Sequence, residues 1–151
     1  MNLRSARGGA VDMSYEEGTR VEETVKVLVI EDDAEAAEMY RLRLVGEGYA
    51  VLVGCDGEDG VRLALAELPD FIYLDLRLPK LDGFEVLERL RAMRETAQIP
   101  VIILSNYSDP ELRERGLRLG ALEFLVKADV TPRQLATKVE RKAGPLPTAL
   151  A

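Results

Sequence analysis

The side chains able to do chemistry stand at the ends of short apolar runs. Glu31, Asp32 and Asp33 follow the run 25–30, Asp75 closes the run 71–74, Ser105 follows 101–104, and Lys127 follows 123–126. Each of these residues taken alone has a bland reading: a turn acid for Asp75, a turn residue for Ser105, a solvated charge for Lys127. Their recurrence at strand ends argues for a site. Close carboxylates repel and raise one another's pKa unless a hard cation neutralises them. Oxygen donors without His or Cys suit Mg²⁺ or Mn²⁺. A cation beside a lysine and a hydroxyl neutralises a phosphoryl group during in-line transfer. Asp75, the carboxylate with no acidic neighbour, is then the nucleophile.

The elements that must position these groups can be read from the periodicity. Residues 71–74 are apolar without alternation, so the predicted strand is covered on both faces, as in a central parallel strand. Further strands are predicted over 25–30, 49–53, 100–104 and 123–126. A helix is predicted over 34–45, with Ala37, Met39, Tyr40 and Leu44 at helical spacing and Gly46 and Gly48 ending it. Asp56 caps a helix over 61–68 that Pro69 stops. Asp82 and Glu85 have capping-box spacing and open a helix to about Arg94, with Phe84, Leu87, Leu90 and Met93 as its stripe. Asp109 followed by Pro110 opens the next helix, which closes at Gly120. Thr131 and Gln134 open the last, with Leu135 and Val139 facing inward. Strands alternating with helices imply a parallel, doubly covered α/β sheet with right-handed crossovers. Parallel strands put every polar strand end on one edge. In the doubly wound order 2-1-3-4-5 the acidic groups converge between strands one and three.

The totals bound the rest. At 151 residues the chain suits one domain, and 47% hydrophobic with 31% charged content is ordinary for a soluble globular protein. A net charge of -7 argues against a nucleic-acid or anionic-membrane surface. No apolar run is long enough to span a bilayer, no secretory signal is evident, and a single cysteine, Cys55, favours a reducing, cytoplasmic setting. The absence of histidine removes His-based acid/base catalysis and His-ligated zinc. Gly54, Gly57 and Gly60 match neither the dinucleotide nor the P-loop spacing and read as turn and cap glycines. The expected organisation is a flexible extension over 1–24, one domain over 25–143, and a disordered tail over 144–151.

The segments KVLVIEDD, PDFIYLDLRLPKLDGFEVL, IPVIILSN and GALEFLVKAD, in this order and spacing, resemble the receiver domain of two-component response regulators from Lys26 to about Lys142. That resemblance implies a five-stranded, flavodoxin-like receiver fold with Asp75 as phosphoacceptor. It implies a Mg²⁺ (or Mn²⁺) site of Asp32, Asp75, the Arg77 backbone carbonyl and Glu31, the last mainly through water. Asp33, one place beyond the acidic pair, reads as a helix cap. Ser105 becomes the switch hydroxyl, Lys127 the phosphate-binding lysine and Phe124 the aromatic switch residue, although Phe124 is equally readable as plain core. Arg77 and Tyr107, two residues beyond Asp75 and Ser105, flank the path of hydrolytic water and are expected to lengthen the phosphoryl lifetime. The chain departs from the family in having Ala128 where proline usually follows the lysine, which leaves the geometry of that peptide open, and in having Phe124 where tyrosine is common.

The function implied is a stand-alone response regulator. It takes its phosphoryl group from a histidine kinase or histidine phosphotransfer protein and signals to a downstream protein effector, with no nucleic-acid or membrane partner. A monomer or weak homodimer through the strand 4, strand 5 and last-helix face is expected. Beyond self-phosphorylation from a donor in trans and slow self-dephosphorylation, it is not an enzyme. A Mg²⁺-dependent aspartyl phosphatase is disfavoured because Arg77 occupies the position where such enzymes place a second acid. A phosphorylation-independent scaffold is disfavoured by the intact acids, Ser105 and Lys127.

Overall fold

The computed structural model describes residues 24–143, so the expected extension (apart from Thr24) and the expected tail lie outside the described residues. Five parallel strands, β1 (Lys26–Ile30), β2 (Ala50–Gly54), β3 (Phe71–Asp75), β4 (Val101–Ser105) and β5 (Glu123–Val126), form one sheet in the order β2-β1-β3-β4-β5. Between and after them run α1 (Ala34–Gly46), α2 (Gly57–Glu67), α3 (Gly83–Ala92), α4 (Pro110–Arg118) and α5 (Pro132–Ala143). This is the doubly wound order expected from the alternation of elements.

The central strands divide their side chains by pleat. Leu28, Ile30, Ile72, Leu74 and Ile103 join Ala64 of α2 and Phe84, Leu87 and Leu90 of α3 in one core. Val27, Val29, Phe71, Tyr73, Ile102 and Leu104 join Tyr40 and Leu44 of α1 and Leu135 and Val139 of α5 in the other. Successive residues of a strand point to opposite faces, so an unbroken apolar strand feeds both cores. Each fully buried side chain of this kind is worth about 1.5–3 kcal/mol. All five residues of β3 are buried, which holds the strand ending in Asp75 rigidly in the middle.

Side-chain caps set where the helices begin. Asp33 accepts from the amides of Glu35 and Ala36, Asp56 from Asp59, and Asp109 from Glu111 ahead of Pro110. Asp82 and Glu85 make both bonds of a capping box, and Thr131 and Gln134 make another. These caps answer backbone N–H groups that the first turn leaves without partners.

Three expectations need correction. α2 begins at Gly57 rather than 61, because Asp56 caps the turn immediately after it, and it ends with Leu68 in the left-handed conformation at φ 47°. Met39, grouped by helical spacing with Ala37, Tyr40 and Leu44, is half exposed, since those three already fill the buried stripe of α1. Tyr49 is buried just ahead of β2, and that strand continues through Gly54 because it pairs in register with β1 from Lys26↔Ala50 to Ile30↔Gly54.

Candidate functional site at the carboxyl edge of the sheet

β1 and β3 are neighbours, so Glu31 and Asp75 emerge side by side at the carboxyl edge. Glu31 is held there by its amide, which donates to the Gly54 carbonyl at 2.9 Å, and its carboxylate accepts from the Asp33 amide at 3.1 Å. Glu31 and Asp75 are 3% and 5% exposed, whereas Asp32 faces solvent. Lys127 leaves β5 in a 3₁₀ turn (Lys127–Asp129), and no peptide bond among the described residues is cis. Its Nζ donates to Glu31 Oε1 at 2.7 Å and lies 3.2 Å from Asp75 Oδ2.

One ammonium thus serves two buried carboxylates. Burial pushes the Asp75 carboxyl up to about 6, and the Glu31 charge adds to the shift while Lys127 opposes it. Burial works against the Lys127 ammonium, but its bond to Glu31 and the charges of both carboxylates outweigh that and hold its pKa above the usual lysine value. Removing the lysine would leave two charges out of water without a counter-ion, the costly case for a buried pair.

Ser105 sits at the end of β4, one residue beyond Leu104, the β4 partner of Asp75 in register. It is buried, and its hydroxyl accepts from the Tyr107 amide at 3.0 Å. The Arg77 amide donates to Asp75 Oδ1 at 3.3 Å. The two side chains then meet, with the Arg77 guanidinium 4.8 Å from the centre of the Tyr107 ring. Both residues were singled out in the sequence, but their stacking depends on two separate strand ends lying side by side.

Phe124 is placed in the core rather than at the carboxylates. It is 2% exposed, packs with Ile103 and Phe84 in the same cluster, and lies beside Gly116, where a Cβ would come 3.3 Å from its ring. Arg113 of α4 donates to the Phe124 carbonyl at 3.0 Å.

Spacing along the chain does not reveal the close approaches around the loop after β3. A Cβ on Gly83 would lie 2.7 Å from the Asp75 carbonyl, and one on Gly57 would lie 2.2 Å from the Leu81 carbonyl, so both glycines let backbone segments approach the loop after β3. Their signal was present as glycine in the first turn of a helix, where better helix formers were available. By its helical spacing Tyr40 belongs only to the apolar stripe of α1. It is buried, and burial raises its phenol, with Lys127 opposing that shift and the charges of Glu31, Asp75 and Asp33 reinforcing it.

Glu31, Asp32 and Asp75 each present a carboxylate oxygen, all within 4.8 Å of one another. The donors are hard oxygens, and burial together with the Glu31 charge already disfavours the Asp75 anion, so added positive charge is favoured here. That fits a small divalent cation of the Mg²⁺ or Mn²⁺ kind.

A family model described as the response regulator receiver domain matches residues 27–140. The chain belongs to the response regulator receiver family. Receiver domains are phosphoryl-accepting signalling modules of two-component systems. Among curated relatives, the "DNA-binding dual master transcriptional regulator RpaA" of Synechocystis is 39% identical over 102 residues, covering 68% of this chain and 42% of that protein. The "alkaline phosphatase synthesis transcriptional regulatory protein PhoP" of Bacillus subtilis is 34% identical over 115 residues, covering 76% and 47%. The chain thus spans less than half the length of either regulator. The receiver domain of a Francisella response regulator superposes with a TM-score of 0.72 at 30% identity, covering 78% of this chain and 95% of that one. Chemotaxis protein CheY4 of Vibrio cholerae superposes at 0.73 with 28% identity, covering 79% and 98%. This receiver's edge residues therefore sit on a fold shared along almost the whole of both solved chains.

Proposed function

We propose that this receiver is a phosphorylation switch with Asp75 as its acceptor. The observation that carries the reading is the Lys127 ammonium bridging Glu31 and Asp75 at the carboxyl edge, beside Asp32. An Asp75 oxygen attacks the phosphorus of a phosphohistidine on a partner kinase or phosphotransfer protein. The P–N bond breaks, and its electron pair leaves on the imidazole nitrogen. A pKa of about 6 keeps Asp75 anionic at neutral pH, as a nucleophile requires. Lys127 neutralises phosphoryl oxygens, and the Ser105 hydroxyl turns from its Tyr107 contact to donate to one of them.

Asp32, Asp75, the Arg77 carbonyl and Glu31 would hold Mg²⁺ or Mn²⁺, which when bound supplies further neutralisation of the transferring group. Bulk at Arg77 and Tyr107 slows hydrolysis, because water held about 1 Å off line can cost roughly 100-fold. Inverting a 1:99 equilibrium takes roughly 5.5 kcal/mol, more than one neutral hydrogen bond supplies, so Ser105 and Lys127 act together. Phe124 carries the change into α4 and β5, and the output is altered binding of another protein, in the cytoplasm.

Labelling with a phosphorylated kinase or acetyl phosphate and Mg²⁺ tests this reading. Incorporation is expected to vanish in Asp75→Ala, and undiminished labelling would overturn the assignment. The names of RpaA and PhoP support a second reading, in which the same switch acts on a DNA-binding unit. Phosphorylation-dependent binding of the longest natural chain to promoter DNA would favour it.

A further inference from the structure

The Asp75 carboxylate is tied to the Arg77 amide, the Ser105 hydroxyl to the Tyr107 amide, and the side chains of Arg77 and Tyr107 stack across the gap. The result is a bridge between the ends of β3 and β4. Beyond it, α4 buries only Gly116 and holds to the core through Arg113 on the Phe124 carbonyl and Arg115 over the Phe84 ring.

We propose that this stack is a latch which phosphorylation opens, drawing the Arg77 guanidinium to the phosphoryl group and releasing the Tyr107 ring with the 106–109 loop that leads into α4. The inference rests on Asp75 being the acceptor. Charge counting supports it. Three carboxylates face one ammonium, and a divalent ion would bring that sum to zero. The acyl phosphate replaces the single Asp75 charge with about two, leaving one negative charge unmatched. Arg77 is the cation two residues away. Its guanidinium matches phosphate bidentately, and such ionic hydrogen bonds are roughly twice as strong as neutral ones. Its present partner is an aromatic ring that is 47% exposed, where cation–π attraction is weak. The phosphoryl group therefore wins the guanidinium.

The test is NMR of protein carrying ring-¹³C tyrosine, with the Tyr107 signal assigned through Tyr107→Phe, before and after adding Mg²⁺ and beryllofluoride. Beryllofluoride is expected to move the wild-type Tyr107 signal toward that of an unstacked ring. Arg77→Ala is expected to show the moved signal from the start and to lose most of the beryllofluoride response. Arg77→Lys, which keeps charge but lacks the planar face, is expected to resemble Arg77→Ala before beryllofluoride is added. A Tyr107 signal unchanged by Arg77→Ala would overturn the latch. So would a wild-type signal that stays in place while the Lys127 ammonium responds to beryllofluoride, and that result would leave the Asp75 assignment standing. If the Lys127 ammonium does not respond, the acceptor reading fails and the latch falls with it.

Discussion

Asp75 concentrates the cost of this site in one side chain. Its folded pKa of about 6 lies above the ordinary 3.8, so its protonated form is the one that folding favours. The corresponding stability is present below about pH 4 and is lost as the pH rises through 6. Asp75→Asn, which cannot ionise, is therefore expected to stabilise the metal-free protein by about 3 kcal/mol at pH 7.5, taking 1.36 kcal/mol per unit. The gain should fade toward pH 4. Urea titrations in chelator at both pH values check this, and an equal gain at both would show that burial of the charge is not the cause. At the same scale, Arg77→Ala is expected to speed decay of the phosphorylated protein by about 10-fold or more, and Tyr107→Ala by less, because the arginine follows the phosphate. Decay rates unchanged or slowed in Arg77→Ala would remove the shielding role. Both residues were legible in the sequence as large groups flanking Asp75 and Ser105. Their mutual contact was not, because Arg77 and Tyr107 are thirty residues apart and belong to different loops.

At the scale of elements, the strand carrying Asp75 is joined to α5 through the protein interior. The Tyr73 hydroxyl donates to the Leu135 carbonyl, and burial of the phenol raises its pKa well above the usual tyrosine value. Tyr73→Phe keeps the packing but leaves that carbonyl short of a partner, so a loss of about 1–2 kcal/mol is expected, with faster amide exchange at the start of α5. Unchanged protection there would show that α5 is held by its apolar face alone. Gly57 is the second test. A methyl group there meets the backbone of Leu81, which cannot yield as a flexible side chain would. Gly57→Ala is expected to cost about 2 kcal/mol in thermal or urea unfolding, in the range of overpacked sites. The caps of these helices were readable because capping is local, from Asp33 and Asp56 to the Asp82–Glu85 box. The close approach at Gly57 was not, since its partner lies in the loop after β3.

At the scale of the whole molecule, the proposed switch requires a change at one sheet edge to reach a surface that a partner could read. Tyr107, Leu117 and Leu122 are large side chains left exposed around α4 and the turn into β5. If phosphorylation acts through Ser105, Phe124 and the loop ahead of α4, hydrogen exchange with and without beryllofluoride should differ over α4, β5 and α5. Changes confined to α1 and α2 would show a different route. Our proposal for assembly is a monomer or a weak homodimer through the β4, β5 and α5 face, and sedimentation with and without beryllofluoride tests it.

The order of elements, the caps, the polar strand ends and the family motifs are all properties of neighbours along the chain, and the sequence by itself determined them. The alternation of strands and helices made a parallel sheet the consistent fold, and a parallel sheet brings strand ends to one edge whatever the details. The tertiary structure alone decided which carboxylate is buried and which is open, that Lys127 binds both Glu31 and Asp75, and that Phe124 packs against Gly116. It also decided that Arg77 lies over Tyr107. The reason is physical. Burial, charge pairing and stacking depend on distances of a few ångströms between residues far apart in the chain, and spacing along the sequence carries no measure of those distances.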